Sequence, residues 1–274
     1  MELTFLGTNT LFITKDSSCL LIDPHFTRPG LLNLISKVGP DKARVEFGLR
    51  SAGIGHLDGV LLTHTHYDHA MDVPEVIHLV GGVLYGSESA ANLAKGAGLP
   101  GYCYHVVKPY KAQKIGAFCV RWLPSQHISF LPPLSWFMPK SGNIDQMLSP
   151  PAYFWKYQCG AVYGLLIDDL LVFGSAGYDA GAYYWDCKVS HVVLPVGGLE
   201  TKSGGYREAL YRETVLESGA QQVFISHWDN FFQPLSPGGK PLGLAKRSIS
   251  HLRGLGKRYG QAVKILAPFE TIKL

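Results

Sequence analysis

Short apolar and polar runs alternate along the chain, and their lengths predict a layered α/β protein. Turn-forming residues separate the first apolar or β-branched runs, which indicates antiparallel strands at 3–6, 11–14 and 18–22. Later apolar runs predict further strands at 59–62, 83–85, 119–123, 191–195 and 223–226. Because helical patterns fall between several of these runs, the order of elements is typical of a layered α/β architecture.

Helical spacing occurs in four longer stretches, most of which carry a start or stop signal. These stretches are residues 73–80, 87–95, 206–218 and 242–255. The last of them has a basic face that is expected to be solvated. Residues 31–35 fit a short amphipathic helix or a flap, and the polar residues that follow are expected to form a connection. Asp168-Asp169 lies between two apolar runs and predicts a hairpin.

A group of metal-ligating side chains follows one of the predicted strands. Residues 63–70 read Thr-His-Thr-His-Tyr-Asp-His-Ala. Side chains two apart on an extended chain share a face, so His64 and His66 can converge on one cation. Asp68 and His69 fall where the chain must turn, and they can face a second position beside the first. The alternative is a solvated polar loop that is rich in histidine, so the motif needs supporting context.

Other candidate site residues also stand directly after predicted strands. His127 is predicted to be the third ligand of the first ion, because a zinc site with an open position has three protein ligands. His227 follows a later strand in the same way. Asp23 either braces the histidine loop from outside the ligand set or caps a turn. His25 is expected to be a solvated loop histidine.

Length and composition indicate a globular chain with a substantial core. The 274 residues are 46% hydrophobic and include 31 glycines and 17 prolines. Neither a repeat nor a low-complexity linker divides the sequence, so residues 1–274 are predicted to form one domain.

An aromatic and proline-rich insertion is predicted at about 128–158, where the prolines exclude a long helix. Three roles are open for it, namely lining an apolar substrate pocket, forming a subunit interface, or burying itself against the sheet. The second role would make the protein a homodimer. Its large apolar side chains include Phe130, Trp136, Phe137, Met138, Tyr153, Phe154, Trp155 and Tyr157.

Charge and cysteine content narrow the class of protein further. The balance of 25 Lys+Arg against 21 Asp+Glu is only mildly basic and does not suggest nucleic acid as a partner. The five cysteines are widely spaced and lack a C-x-x-C pair, which fits reduced thiols. Neither a secretory signal nor a membrane-spanning run is visible. The sequence therefore predicts a cytoplasmic protein without a transmembrane segment.

These motifs, taken in order, resemble those of the metallo-β-lactamase superfamily of metal-dependent hydrolases. The resemblance covers nearly the whole chain. Within the superfamily, the sequence is most similar to the branch that includes ascorbate-6-phosphate lactonases and phospholipase D-like enzymes acting on N-acyl phosphatidylethanolamine. It rests on Leu6-Gly7-Thr8-Asn9-Thr10, Leu21-Ile22-Asp23-Pro24, the H-x-H-x-D-H signature at 64–69, His127, the turn at Gly174 and His227.

The resemblance implies an αββα sandwich, with two facing β-sheets and helices outside them. It implies that one ion is bound by His64, His66 and His127, and a second by Asp68, His69 and His227. The implied reaction is hydrolysis by a metal-activated hydroxide. In this mechanism Asp68 orients the water and helps proton transfer, while His69 and His227 stabilise the developing charge.

Ser175 departs from the superfamily pattern. The family has an aspartate that bridges the two metals after the hairpin, whereas this chain reads Gly174-Ser175-Ala176-Gly177. A hydroxyl brings no negative charge, so the second ion is expected to bind more weakly.

Zn²⁺ is the predicted ion because histidines and a carboxylate form the ligand set, although Mn, Fe and Ni are compatible with the same ligands.

Three functions remain open from the sequence. The favoured one is a metal-dependent hydrolase that cleaves an ester, lactone, amide or phosphodiester bond in a small molecule, with an apolar portion of the substrate resting on the insertion. The second is a metal-dependent nuclease, which the modest positive charge does not favour. The third is a non-catalytic metal-binding sensor or binding protein in which Ser175 has removed catalysis.

Overall fold

The computed structural model describes residues 1–131, 140–180 and 188–274. Trp136, Phe137, Met138 and Cys187 lie outside these ranges. In chain order, the strands of the described residues are β1 (Glu2–Phe5), β2 (Leu11–Lys15), β3 (Ser18–Ile22), β4 (Lys37–Val38), β5 (Gly59–Leu61), β6 (Val83–Gly86), β7 (Tyr104–Val106), β8 (Gln113–Ile115), β9 (Phe118–Pro124), β10 (Ala152–Tyr153), β11 (Tyr163–Ile167), β12 (Leu170–Phe173), β13 (His191–Pro195), β14 (Gln222–Ser226), β15 (Ala262–Ile265) and β16 (Thr271–Lys273).

The α-helices of the same ranges are short except for the last. They are α1 (Lys42–Ser51), α2 (Tyr67–Ala70), α3 (Val73–Val80), α4 (Glu88–Gly96), α5 (Gly204–Tyr211) and α6 (Ala245–Tyr259). Single 3₁₀-helical turns occur at Leu31–Ile35, Gly101–Cys103, Phe154–Lys156 and Leu199–Thr201, and a π-helical turn at Arg212–Leu216 extends α5.

Two seven-stranded mixed sheets share one pattern of pairing. The first has the order β16-β1-β2-β3-β5-β6-β7, and the second has the order β15-β14-β13-β12-β11-β9-β8. Each contains three antiparallel pairs at one side and three parallel pairs at the other. The parallel strands end at the same edge of their sheet, so residues that follow them are brought together.

Alternation along the strands explains the layers. In β3, Leu20 and Ile22 face the core between the two sheets, whereas Leu21 faces a second core beneath α1, α3 and α4. All three side chains are fully buried. Successive side chains of a strand point to opposite faces, so an apolar run in a strand that is covered on both faces contributes to both cores. The protein is therefore a metallo-β-lactamase-like αββα sandwich, as the resemblance implied.

The structure confirms most of the predicted elements. The three opening strands pair antiparallel, and Asp168-Asp169 connects β11 to β12 as a hairpin. Helix α6 is shifted relative to its prediction, since it begins at Ala245 and ends before Gly260, which adopts the left-handed conformation. The sequence did not indicate the short edge strands β7, β8, β15 and β16.

The polar connection predicted after residue 35 is wrong. It contains α1, whose N-cap Asp41 accepts a hydrogen bond from the Arg44 amide. The helix buries only Val45, Gly48 and Leu49, so its apolar face is narrow. That narrow face is the reason that polar residues dominate the pattern.

Residues of the insertion are partly buried in the fold and partly line a cavity, and its role stays a prediction. Tyr157 is fully buried, and its hydroxyl donates to the Val38 carbonyl at 3.2 Å, beside the pairing of β10 with β4. Phe130 and Phe154 line a cavity, whereas Trp155 remains 37% exposed. None of the helices described here is long and apolar enough to cross a bilayer.

Candidate metal centre

The predicted site residues follow the C-terminal ends of strands from both sheets. His64 and His66 follow β5, and Asp23 follows the neighbouring parallel strand β3. In the other sheet, His127 and His227 follow β9 and β14. These ends meet at one edge of the sandwich, where the ring centroids of His64 and His127 are 5.0 Å apart. The C-terminal edge of the strands therefore carries the candidate site.

The first cluster consists of His64, His66 and His127. One ring nitrogen of each lies within 4.8 Å of the others. Burial is the main cause that lowers the pKa of His66 to about 3 and that of His127 to about 4. Burial also holds the pKa of His64 well below its usual value. All three rings are therefore neutral near pH 7, which is the form that binds a metal.

Backbone carbonyls fix the tautomers of two of these rings. His66 Nε2 lies 3.2 Å from the Lys140 carbonyl oxygen, and His127 Nδ1 lies 2.8 Å from the Ile128 carbonyl oxygen. A carbonyl oxygen can only accept, so these two nitrogens carry the hydrogens of the neutral rings. The lone pairs of His66 Nδ1 and His127 Nε2 therefore remain free for a cation.

Thr63 fixes the tautomer of His64 in the same way. Its hydroxyl donates to Asp23 at 2.6 Å and therefore accepts from His64 Nδ1 at 3.0 Å. The bare His64 Nε2 then lies 3.1 Å from the bare His66 Nδ1. Two lone pairs at this distance repel each other unless a cation or a proton lies between them. The first cluster thus fits a metal ion.

The second cluster consists of Asp68, His69 and His227. Their ligand atoms also lie within 4.8 Å of one another, and Asp68 Oδ2 is 3.2 Å from His227 Nε2. Burial alone would raise the pKa of Asp68, but His69 and His227 outweigh burial and hold it below its usual range. An ionised carboxylate beside two imidazoles is a suitable ligand set for a divalent ion.

Hydrogen bonds of the Asp23 carboxylate connect the two clusters. One of its carboxylate oxygens accepts from the Thr63 amide at 2.9 Å, and the other accepts from Asn9, Thr63 and His69 at 2.9, 2.6 and 2.8 Å. Asp23 thus orients His69 directly and His64 through Thr63. Of the two roles predicted for Asp23, these contacts match the bracing of the histidine loop.

Ser175 belongs to neither cluster. Its hydroxyl accepts from the Ile128 amide at 3.0 Å and so positions the loop that carries His127. Gly174 precedes it at a close approach, because a Cβ there would lie only 2.0 Å from the Thr63 hydroxyl. A carboxylate is thus absent at the position that bridges two metals in the superfamily.

The prediction for His25 is wrong, because the ring is fully buried. It lies edge-on to Tyr67 and Phe231 at centroid distances of 5.9 and 6.4 Å. Neither of its ring nitrogens has a hydrogen-bond partner among the described residues. No local pattern indicates this burial, since His25 stands between Pro24 and Phe26 in a segment typical of an open loop.

His25 should weaken the protein at acidic pH. Burial is the main cause that lowers its pKa from 6.5 to about 3, so between these values the unfolded chain binds a proton that the folded protein excludes. The free energy of unfolding must therefore fall as the pH is lowered through that window. We expect the free energy of unfolding of His25→Phe to fall less from pH 7 to pH 5 than that of wild type, as measured by urea unfolding of the metal-free protein.

His78→Phe is the matched control, because it replaces an exposed ring and should leave the pH dependence of the free energy of unfolding unchanged. Equal losses in wild type and His25→Phe would contradict this expectation.

A buried ion pair that sequence reasoning missed supports the loop of His227. Arg28 pairs with Asp229, and both residues are at least 98% buried. Asp229 also accepts from the Thr8 amide at 2.7 Å, and the Thr8 carbonyl accepts from the His227 amide. His227 itself has a positive φ of 54°, which is uncommon outside glycine. The pair spans 201 positions of sequence, so no local pattern could have indicated it.

A cavity of about 330 Å³ opens directly onto both clusters. Its floor includes His66, Asp68, His69, His127 and His227. Its walls are mostly apolar and include Leu31, Leu34, Tyr67, Ile128, Phe130, Phe154, Phe231, Phe232 and Leu242.

Known proteins match the chain at the level of the superfamily. The family model described as the metallo-beta-lactamase superfamily matches residues 3–109. A UPF0173 metal-dependent hydrolase of Haloarcula marismortui is 38% identical over 73 residues, which are 27% of this chain and 23% of that protein. The matched segment therefore spans less than a quarter of that relative.

Solved structures match over the full length. Igni18, a metallo hydrolase from the hyperthermophilic archaeon Ignicoccus hospitalis, has a TM-score of 0.56 at 16% identity and covers 99% of this chain and 97% of its own. The isothiocyanate hydrolase from Delia radicum gut bacteria has a TM-score of 0.57 at 16% identity, with coverage of 100% and 99%. The chain thus has a metallo-β-lactamase fold. The resemblance to the superfamily is confirmed, while the branch within it stays a prediction.

Proposed function

We propose that the protein is a metal-dependent hydrolase of a small molecule. The observation that carries this proposal is the convergence of bare imidazole nitrogens and one ionised carboxylate at the floor of an open cavity. The metal-dependent hydrolase of Haloarcula marismortui and the metallo hydrolase Igni18, which this chain resembles, support it. The cytoplasmic location and the homodimer stay predictions. We also propose that residues 1–274 act as one domain, because one hydrophobic core joins the two sheets.

The side chains of the site have distinct roles in this mechanism. A divalent ion, when bound, supplies Lewis acidity that makes water nucleophilic near neutral pH and polarises the bond under attack. Asp68 orients the attacking water and helps proton transfer, since its carboxylate is ionised and lines the cavity. His69 and His227 stabilise the charge that develops on the substrate. Asp23 and Thr63 hold the rings in position.

The donor set fits zinc best, because it combines five imidazoles with one carboxylate. Mn, Fe and Ni remain compatible with the same ligands. We propose that the first cluster holds its ion tightly and that the second holds its ion weakly, since Ser175 brings no charge between the clusters.

The Ser175→Asp variant tests this difference between the clusters. Wild type should retain nearer one ion than two per chain after gel filtration, measured by elemental analysis. Ser175→Asp should raise the affinity for the second ion roughly 10–100-fold, since outer or bridging carboxylates contribute on this scale. A Ser175→Ala variant should stay at one ion. Two equally tight ions in wild type would rule out the weaker second site.

Hydrolysis assays on protein of known metal content test the proposed function. The full chain is stripped with a chelator, reloaded with zinc and assayed on lactones, acyl esters, amides, phosphodiesters and RNA. Hydrolysis of at least one small-molecule class should vanish on stripping and return on reloading. Activity that survives complete metal removal would overturn the proposal, and failure on every class with the metal retained would favour a non-catalytic sensor.

A further inference from the structure

We infer that the substrate carries an uncharged, apolar acyl or aryl group beside the bond that is cleaved. This inference rests on the proposed function and deepens it. It concerns the part of the substrate that lies in the cavity, away from the reacting bond, and it follows from the size, the lining and the charge of that cavity.

The volume of the cavity favours a small molecule. Sites for small molecules and cofactors occupy about 300–1,000 Å³. A cavity of about 330 Å³ lies at the lower end of this range and leaves little room for a polymer segment. A single acyl or aryl group would fill most of it.

The apolar wall begins directly beside the metal-ligand positions. The ring of Phe231 stands edge-on to His227 at a centroid distance of 5.1 Å, and Phe232 packs on Phe231 at 4.5 Å. Phe130, which also lines the cavity, rests against the backbone of Gly198, where a Cβ would lie 2.5 Å from the ring. This close approach fixes the position of the Phe130 ring. The substrate must therefore be apolar within a few atoms of the reacting bond.

Charge in the cavity disfavours a negative group on the substrate. Among the described residues that line it, the carboxylates are Asp68 and Glu200, and neither lysine nor arginine is present. The segments 132–139 and 181–187 also lack lysine and arginine in their sequence. A phosphate or carboxylate remote from the reacting bond would therefore be desolvated without a cationic partner, which is costly.

Two cations near the cavity are engaged elsewhere. Lys202 donates to the carbonyl and the hydroxyl of Ser129 and lies over the Tyr206 ring at 5.1 Å. Arg28 is held by its buried pair with Asp229. Neither Lys202 nor Arg28 therefore serves as a free partner for a negative group on the substrate.

A matched series of esters tests the inference on the zinc-loaded full chain. The probes are 4-nitrophenyl alkanoates from acetate to octanoate, and the 4-nitrophenyl monoesters of dicarboxylic acids of equal length. We expect kcat/KM to rise roughly three- to fourfold per added methylene until the cavity is full. A terminal carboxylate should lower kcat/KM at least about tenfold at equal length.

The outcomes separate the two proposals. Absence of zinc-dependent hydrolysis for every ester and for the other substrate classes would overturn the proposed function. Zinc-dependent hydrolysis with a flat dependence on chain length, or with a preference for the carboxylates, would overturn the inference alone.

Variants of the cavity wall assign the effect to particular residues. Phe130→Ala should flatten the dependence on chain length, and Glu200→Gln should narrow the gap between neutral and carboxylate esters severalfold. Glu217→Gln removes an equal charge from an exposed helix end outside the cavity and should change neither quantity. The zinc content of each variant shows that the metal centre is intact. An unchanged gap in Glu200→Gln would contradict the role of Glu200 in charge selection.

Discussion

Replacement of His66 by alanine is expected to remove both the tightly held ion and turnover. The variant loses one of three converging nitrogens and the hydrogen bond to the Lys140 carbonyl. Changes to residues that only orient a ligand cost about 10–100-fold in metal affinity or activity, so the loss of a ligand should exceed about 100-fold. Elemental analysis after dialysis and kcat/KM at saturating zinc measure the two effects.

His78→Ala is the matched control, because it removes an exposed ring on α3 that lies outside both clusters. It should keep wild-type metal content and activity. Circular dichroism of both variants distinguishes a lost ligand from a lost fold. Wild-type activity in a folded His66→Ala protein would contradict the assignment of the first cluster.

The Arg28→Met variant is expected to lose about 3–5 kcal/mol of unfolding free energy. It leaves the Asp229 carboxylate buried with the Thr8 amide as its remaining described partner. Removal of one member of a buried ion pair has a cost of that size, which corresponds to a shift of about 6–20 °C in Tm for a chain of this length. Because Asp229 lies two residues after His227, the affinity of the second cluster for metal should fall as well. Urea unfolding and metal titration measure the two changes.

Two further variants complete the comparison. Arg28→Met combined with Asp229→Leu removes both charges and should recover most of the lost stability. Lys15→Met breaks a partly exposed pair with Asp168 and should cost less than about 1 kcal/mol. If Arg28→Met cost no more than Lys15→Met, the buried pair would not stabilise the loop of His227.

Sequence patterns could predict the inner strands of both sheets because each is a short apolar run between turn residues. Such runs are apolar throughout because both faces of the strand are buried and successive side chains point to opposite faces. Strand β3, for example, contributes to one core through Leu20 and to the other through Leu21. The same patterns failed at α1, where only a narrow apolar face is buried, and at β15 and β16, which lie at sheet edges. Edge strands bury less surface, so their hydrophobic signal is weaker.

By itself, the sequence determined the group of ligands at 64–69 and the position of His127 and His227 directly after strands. These are local facts of residue type and spacing. Only the tertiary structure decided which nitrogen of each ring in the first cluster is free, that Asp23 joins both clusters, that His25 is buried, and that Arg28 pairs with Asp229. The pair of Arg28 with Asp229 connects segments 201 positions apart, and all of these contacts depend on how two sheets pack at one edge. Local patterns carry no information about such packing, so the chemistry of the ligands could be predicted and the cavity that selects the substrate could not.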